Sequence, residues 1–271
     1  MNIAQPTSIL ITGASSGIGA ALARDYAAPG IRLVLGGRDR TRLGHVAQDC
    51  RARGAEVETG TVDVTAKDEM ARWIADAFAH GPIDLIIANA GISGGTGGNG
   101  EDAESSESRD QVESIFAVNV GGVLNTVYPA IEQMRKRKGV PVRGQIVVMS
   151  SLAGFRGLPG APAYSASKAC VRSLGEGLRG SLARQGLRVS VICPGFVKSP
   201  MTDINPYPMP FLMPVEKAAR IIRRGLARNR ARIAFPWRLW AMVWLMSALP
   251  VGLTDPLFSR MPEKPATPPA P

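Results

Sequence analysis

The chain has 271 residues, 45% of them hydrophobic and 20% charged, enough to bury the core of one large α/β domain. Its net charge is +10, and the excess is uneven: residues 205–271 hold 10 Lys/Arg against 3 Asp/Glu, while residues 1–204 hold 22 against 19. Three cysteines without a CxxC spacing, two histidines and an N-terminus with no basic-then-apolar leader argue against a disulfide framework, a zinc cluster and a secretory signal.

These features predict a cytoplasmic protein without a metal. The basic surplus comes with no recognition motif for nucleic acid, so anionic small ligands or a lipid surface are the expected partners.

In chain order, short apolar runs alternate with longer amphipathic ones. Ser8–Thr12 (SILIT) is predicted as a strand running into glycine, with a helix over Gly17–Ala28. Arg32–Gly36 is a second strand and Arg40–Arg53 a charged helix. Ala55–Thr61 alternates like a strand, and Ala66–His80 puts Trp73, Ile74, Ala77 and Phe78 on one helical face. Asp84–Asn89, Gln145–Ser150 and Arg188–Cys193 are three more strands. Long helices over about Gln111–Lys138 and Pro162–Gln185 precede the last two. Strands apolar throughout, separated by helices, predict a parallel sheet covered on both faces and right-handed crossovers. The expected organisation is one doubly wound α/β domain over residues 1–235. A tryptophan-rich apolar segment follows over 236–261, then a proline-rich tail over 262–271. Ser93–Ser108 reads as a polar, glycine-rich loop.

The first strand enters T-G-A-S-S-G-I-G, residues Thr12 to Gly19. Glycines at the change from strand to helix allow a tight turn, close backbone approach to a pyrophosphate, and N–H groups aimed at negative charge. Further on, Tyr164 and Lys168 stand four apart in A-Y-S-A-S-K, on one face of a helix. A fixed ammonium favours phenolate over phenol, which suits a general acid or base. Ser151, just past a strand end, adds a hydroxyl to hold a substrate oxygen.

Together these pieces resemble the short-chain dehydrogenase/reductase family in its compact form, with a single three-layer Rossmann domain. A-N-A-G at Ala88–Gly91, Asn119 in V-N-V, Ser151 thirteen residues before Tyr164, and Pro194–Gly195 match its motifs in order. The resemblance implies that Asn119, Ser151, Tyr164 and Lys168 are catalytic. The serine would orient a carbonyl, the tyrosine would move the proton, and the lysine would lower its pKa and hold the nicotinamide ribose. The asparagine would support a proton-relaying water. It further implies cofactor contacts from Gly13, Ser15, Ser16, Gly17, Ile18, Gly19, Arg38, Asp63, Val64, Asn89, Ala90, Gly91, Tyr164, Lys168, Pro194, Gly195, Val197 and Ser199. It also implies a homo-oligomer.

Where an acidic residue would select NAD(H), the second strand ends in Gly37 followed by Arg38, which favours NADP(H); Asp39 is the rival contact. The segment after Gly195 carries Pro200, Pro206, Pro208, Pro210 and Pro214 among methionines and Phe211, so it reads as an adaptable apolar loop over the substrate. An apolar or bulky ketone or secondary alcohol is the expected substrate. Residues 215–253 join a basic helix to a stretch containing Trp237, Trp240 and Trp244. Its unbroken apolar run is too short to span a bilayer, but it suits peripheral membrane contact, a subunit interface or a cover for the domain. The alternative to an enzyme is a cofactor-binding, membrane-associated module without chemistry.

Overall fold

The computed structural model describes residues 5–96, 107–205 and 207–258. Its strands are β1 (Ser8–Thr12), β2 (Arg32–Gly37), β3 (Glu56–Thr61), β4 (Leu85–Ala88), β5 (Gly144–Met149), β6 (Leu187–Pro194) and β7 (Arg232–Phe235). Among the described residues they form one parallel sheet in the order β3-β2-β1-β4-β5-β6-β7. The chain moves outward from β1 to β3, then returns to pair β4 beside β1. That reversal is the switch point where open α/β sheets bind ligands.

One face is covered by α1 (Gly17–Tyr26), α2 (Arg40–Ala52) and α8 (Val215–Ala227). The other is covered by α3 (Lys67–Ala79), α5 (Gly122–Arg135) and α6 (Pro162–Ala183). β1, β4, β5 and most of β2 and β6 are buried, which is why they read as continuous apolar runs. Ile74 and Ala77 of α3 are buried, with Trp73 and Phe78 packed beside them, as the periodicity predicts.

Three differences from the sequence reading have local causes. The helix expected over 111–138 is two helices, α4 (Arg109–Phe116) and α5, joined by a π-helical turn at Ala117–Gly121 that contains Asn119. The whole stretch Arg109–Arg135 is long and apolar enough to cross a bilayer, yet Val123, Val127, Ala130, Ile131 and Met134 are buried in the core. The basic helix α8 ends at Ala227, short of Arg232, and Asn229 adopts φ +48°. Arg232–Phe235 form β7 instead, with Ile233 and Phe235 inward. In the 236–261 segment, α9 (Trp237–Ala248) and α10 (Val251–Phe258) follow. A short helix, α7 (Pro200–Asp203), is the only one inside the proline-rich segment expected as loop, among the described residues. Residues 97–106 of the predicted glycine-rich loop and the tail 262–271 lie outside the described residues.

Candidate active site

The glycine turn is fitted to its neighbours at backbone distance. Gly13 has φ +65°, and a Cβ there would stand 2.8 Å from Ala90 Cα. A Cβ on Gly19 would stand 2.6 Å from Asn89 Nδ2. The Asn89 amide donates to the carbonyls of Thr12 (3.0 Å) and Gly13 (3.1 Å). Thr12 Oγ1 accepts the N–H groups of Asn89 (3.1 Å) and Ala90 (3.3 Å). Thr12 and Asn89 thus staple β1 to β4 across the switch point, and Ala90 and Gly91 continue that wall. Ala14 N donates to Gly36 O at 2.9 Å, which ties the turn to β2 as well.

Ser16 opens α1 without a side-chain cap. The first N–H groups of α1, at Gly17, Ile18 and Gly19, and the positive end of its dipole are therefore suited to an anion. Ser15 borders the end of β2, where a Cβ on Gly37 would stand 3.4 Å from Ser15 Oγ. Arg38 beyond it is exposed. Asp39 caps α2, accepting from Arg42 N at 2.8 Å and pairing with Arg42 Nε at 2.5 Å. Those contacts hold its carboxyl below the usual carboxylate range. Asp63 accepts the N–H and the hydroxyl of Thr65, both at 2.8 Å, and Val64 packs where a Cβ on Gly122 would clash.

Across the groove, β6 ends at Pro194, and Gly195 N donates to Phe235 O at 2.7 Å. Val197 is buried and bridges to Met213. Ser199 starts α7, its N–H donating to Thr202 Oγ1 at 2.9 Å. A Cβ on Gly17 would stand 3.4 Å from Ser199 Cβ, so the segment after β6 comes back over the glycine turn.

The catalytic candidates converge on α6. Pro162 sits in its first turn, where a missing N–H costs nothing, and Tyr164 follows two residues later. Lys168, one turn on, is 3% exposed; its Nζ donates to Met149 O at 3.1 Å and lies 5.7 Å from the Tyr164 ring centre. A Cβ on Gly91 would stand 3.0 Å from Asn119 Oδ1 and 3.2 Å from Lys168 Nζ, so the wall after β4 presses on both. Burial pushes Lys168 down to about 8. Burial also raises the Tyr164 phenol, against a hydrogen bond with Ser151 that lowers it and a Tyr207 contribution that raises it further. The spacing argument expects the lysine to lower the tyrosine. Desolvation is instead the largest influence on both, and both groups lean toward their neutral forms.

Ser151 accepts Ala153 N at 3.1 Å and donates to Pro194 O at 3.4 Å, holding it at the ends of β5 and β6. Ser150 is 3% exposed and donates to Lys168 O at 2.7 Å. Its hydroxyl is spent on fixing α6, which leaves Ser151 as the partner of Tyr164. Asn119 is fully buried in the π turn: Oδ1 accepts Ile92 N (2.8 Å), and Nδ2 donates to Ile92 O (2.9 Å) and Ser167 Oγ (3.0 Å). Ser167 donates in turn to Tyr164 O at 2.8 Å.

Sequence reasoning misses the supporting parts: Thr12, Ser150 and Ser167, and the C-terminal residues against the site. A Cβ on Gly195 would stand 2.8 Å from Leu239 Cδ2 and 3.3 Å from Leu152 Cδ1. Thr12 and Ser150 adjoin recognised motifs, but only their partners show what the hydroxyls do. No local signal links Leu239 to a residue near 150.

The short chain dehydrogenase family model matches residues 7–206. An uncharacterized oxidoreductase of Myxococcus xanthus is 41% identical over 254 residues, 93% of this chain and 96% of that protein. A granaticin polyketide synthase putative ketoacyl reductase of Streptomyces violaceoruber is 35% identical over 202 residues, 72% of this chain and 69% of that protein. The crystal structure of a short chain dehydrogenase/reductase from Burkholderia phymatum in complex with NAD superposes with TM-score 0.78 at 27% identity, covering 98% of this chain and 100% of that one. With the family model spanning most of the chain, this protein belongs to the NAD(P)-dependent short-chain dehydrogenase/reductases.

Proposed function

We propose that the protein is an NADP(H)-dependent oxidoreductase interconverting an apolar or bulky ketone and its secondary alcohol, with Tyr164 as general acid and base. The observation that carries this reading is the meeting of Ser151, Tyr164 and Lys168 beside the glycine turn, with Ser150 and Asn119 committed to holding them. The groove fits a nicotinamide dinucleotide: an uncapped helix start for the pyrophosphate and glycines where a Cβ would collide. Bound there, the cofactor supplies or accepts the hydride.

The chain's own residues handle the oxygen and the proton. Ser151 Oγ holds the substrate oxygen in line with Tyr164. In reduction, Tyr164 Oη gives its proton to that oxygen as the carbonyl carbon becomes tetrahedral. Lys168 steadies the phenolate that remains. In oxidation, the same phenolate takes the hydroxyl proton back. A raised tyrosine pKa keeps the acid form loaded, which suits reduction.

NADP(H) is favoured because Gly37 leaves space at the ribose end and Arg38 is exposed beside it, while Asp39 is occupied as a helix cap. The apolar substrate class is supported by Phe211 and Leu212, which are exposed in the segment after β6. The reading also includes a cytoplasmic, homo-oligomeric chain with peripheral membrane contact within residues 215–253. Tyr164→Phe keeps the ring and removes the exchangeable proton. Turnover of NADPH with a panel of apolar ketones falls by at least about 100-fold, while NADPH binding persists. Undiminished turnover in that variant contradicts the assignment.

A further inference from the structure

The C-terminal helices have two unlike faces. Inward, Leu239, Trp240 and Val243 of α9 pack with Leu152, Phe155 and Phe196. Thr254 and Asp255 of α10 are held by Arg156 Nη2 at 3.2 and 2.9 Å, and Phe258 lies under the same guanidinium, 5.1 Å from the ring centre. Leu152 and Arg156 belong to the segment between Ser151 and Tyr164, so this pair of helices is clamped to the loop that carries the site. Outward, Trp237 (69% exposed), Met242, Trp244, Leu245, Val251 and Leu253 (72%) are open to solvent. The polar side chains on α9 are Arg238, with its guanidinium 5.6 Å from the Trp237 ring, and Ser247, whose hydroxyl donates to Trp244 O at 2.8 Å within the helix.

We infer that the outer face of α9–α10 docks on an anionic lipid bilayer, lying in its plane. The 12 residues of α9 extend only about 18 Å and end at prolines, too short to cross. Tryptophan and arginine on an apolar helix match the boundary between headgroups and acyl chains. Charge favours the bilayer over a second copy: the charged side chains of α9 and α10 are Arg238 and Asp255, and the acid is paired with Arg156, which leaves the outer face its arginine. A second copy would set positive against positive, whereas anionic headgroups set it against its opposite. The expected membrane contact over 215–253 thus narrows. The inner residues of α8, Ala218, Ala219, Ile222 and Leu226, are buried in the core, which leaves α9 and α10 as the docking unit. Docking would then place an apolar substrate's reservoir at the back of the loop that follows Ser151. This rests on the membrane contact in the proposed function and not on its chemistry.

The test is sedimentation of the full-length protein with vesicles of phosphatidylcholine alone, or with about a third phosphatidylglycerol, together with tryptophan emission. The wild type should pellet at least about tenfold better with the mixed vesicles and shift its emission to the blue. The exposed triple variant W237S/W244S/L253S should stay in the supernatant with an unchanged unfolding midpoint. Arg238→Glu, which keeps the apolar face, should weaken binding to the mixed vesicles. Wild type left in the supernatant with both vesicles overturns the inference whatever its NADPH affinity. So does a triple variant that still pellets, or one that turns an oligomeric wild type into a monomer without any vesicle binding having been seen.

Discussion

Lys168 is the most expensive residue of the candidate site. Its folded-state pKa, about 8, lies below its ordinary 10.5, because burial disfavours the ammonium. A base depressed by folding destabilises the native state while it must stay charged. The penalty is full below about pH 8 and fades as pH rises toward 10.5. The span corresponds to about 3 kcal/mol. Lys168→Met should therefore raise stability in urea unfolding at neutral pH by up to about 3 kcal/mol while ending turnover. The gap to wild type should close as the buffer is taken from about pH 8 to about 10.5. A variant less stable than wild type at neutral pH would mean that the Met149 contact, not desolvation, decides the balance. The identities of Tyr164, Lys168 and Ser151 were legible as letters and spacings. Their pKa directions were not, because desolvation comes from β5 and the wall at Gly91, far away in sequence.

At the scale of elements, apolar runs located β1, β2, β4, β5 and β6 within a residue or two, since each crosses a buried layer, and alternation located the more exposed edge strand β3. It could not show the π turn at Ala117–Gly121, because Val118 and Val120, packed against the core on either side of Asn119, keep the segment reading as one helix. Asn119 is what makes that turn tolerable. Three hydrogen bonds from one buried amide tie α5 to Ile92 and, through Ser167, to the backbone of Tyr164. Asn119→Ala would leave the Ile92 N–H and carbonyl without these partners at a half-buried site. The expected cost is about 2–4 kcal/mol in denaturant midpoint, with a loss of turnover larger than any loss of NADPH affinity. Wild-type stability in that variant would show that the π turn stands without the amide. β7 escaped the sequence reading for a different reason. Four residues between a basic helix and a proline carry too little alternation, and only pairing with β6 makes them a strand.

At the scale of the molecule, the groove is a property of the whole carboxyl edge. β1 supplies the glycine turn, β2 the bare end at Gly37, β4 the wall at Ala90–Gly91, β5 Ser151, and β6 the segment returning over Gly17. The doubly wound order follows from the alternation of buried strands with helices, so this assembly could be anticipated from the sequence. The docking of α9 on Gly195 and Leu152 could not, because nothing local pairs residue 239 with residues so distant. In the proposed function this edge holds a nicotinamide dinucleotide with its 2′-phosphate at Arg38. Titration of the purified protein with NADPH and with NADH, followed by nicotinamide fluorescence in wild type and in Arg38→Ala, decides the point. NADPH should bind at least about tenfold more tightly than NADH, and Arg38→Ala should erase the difference, as removal of a charged phosphate partner does. Equal or tighter binding of NADH would contradict the assignment of Arg38, and binding of neither would contradict the groove itself.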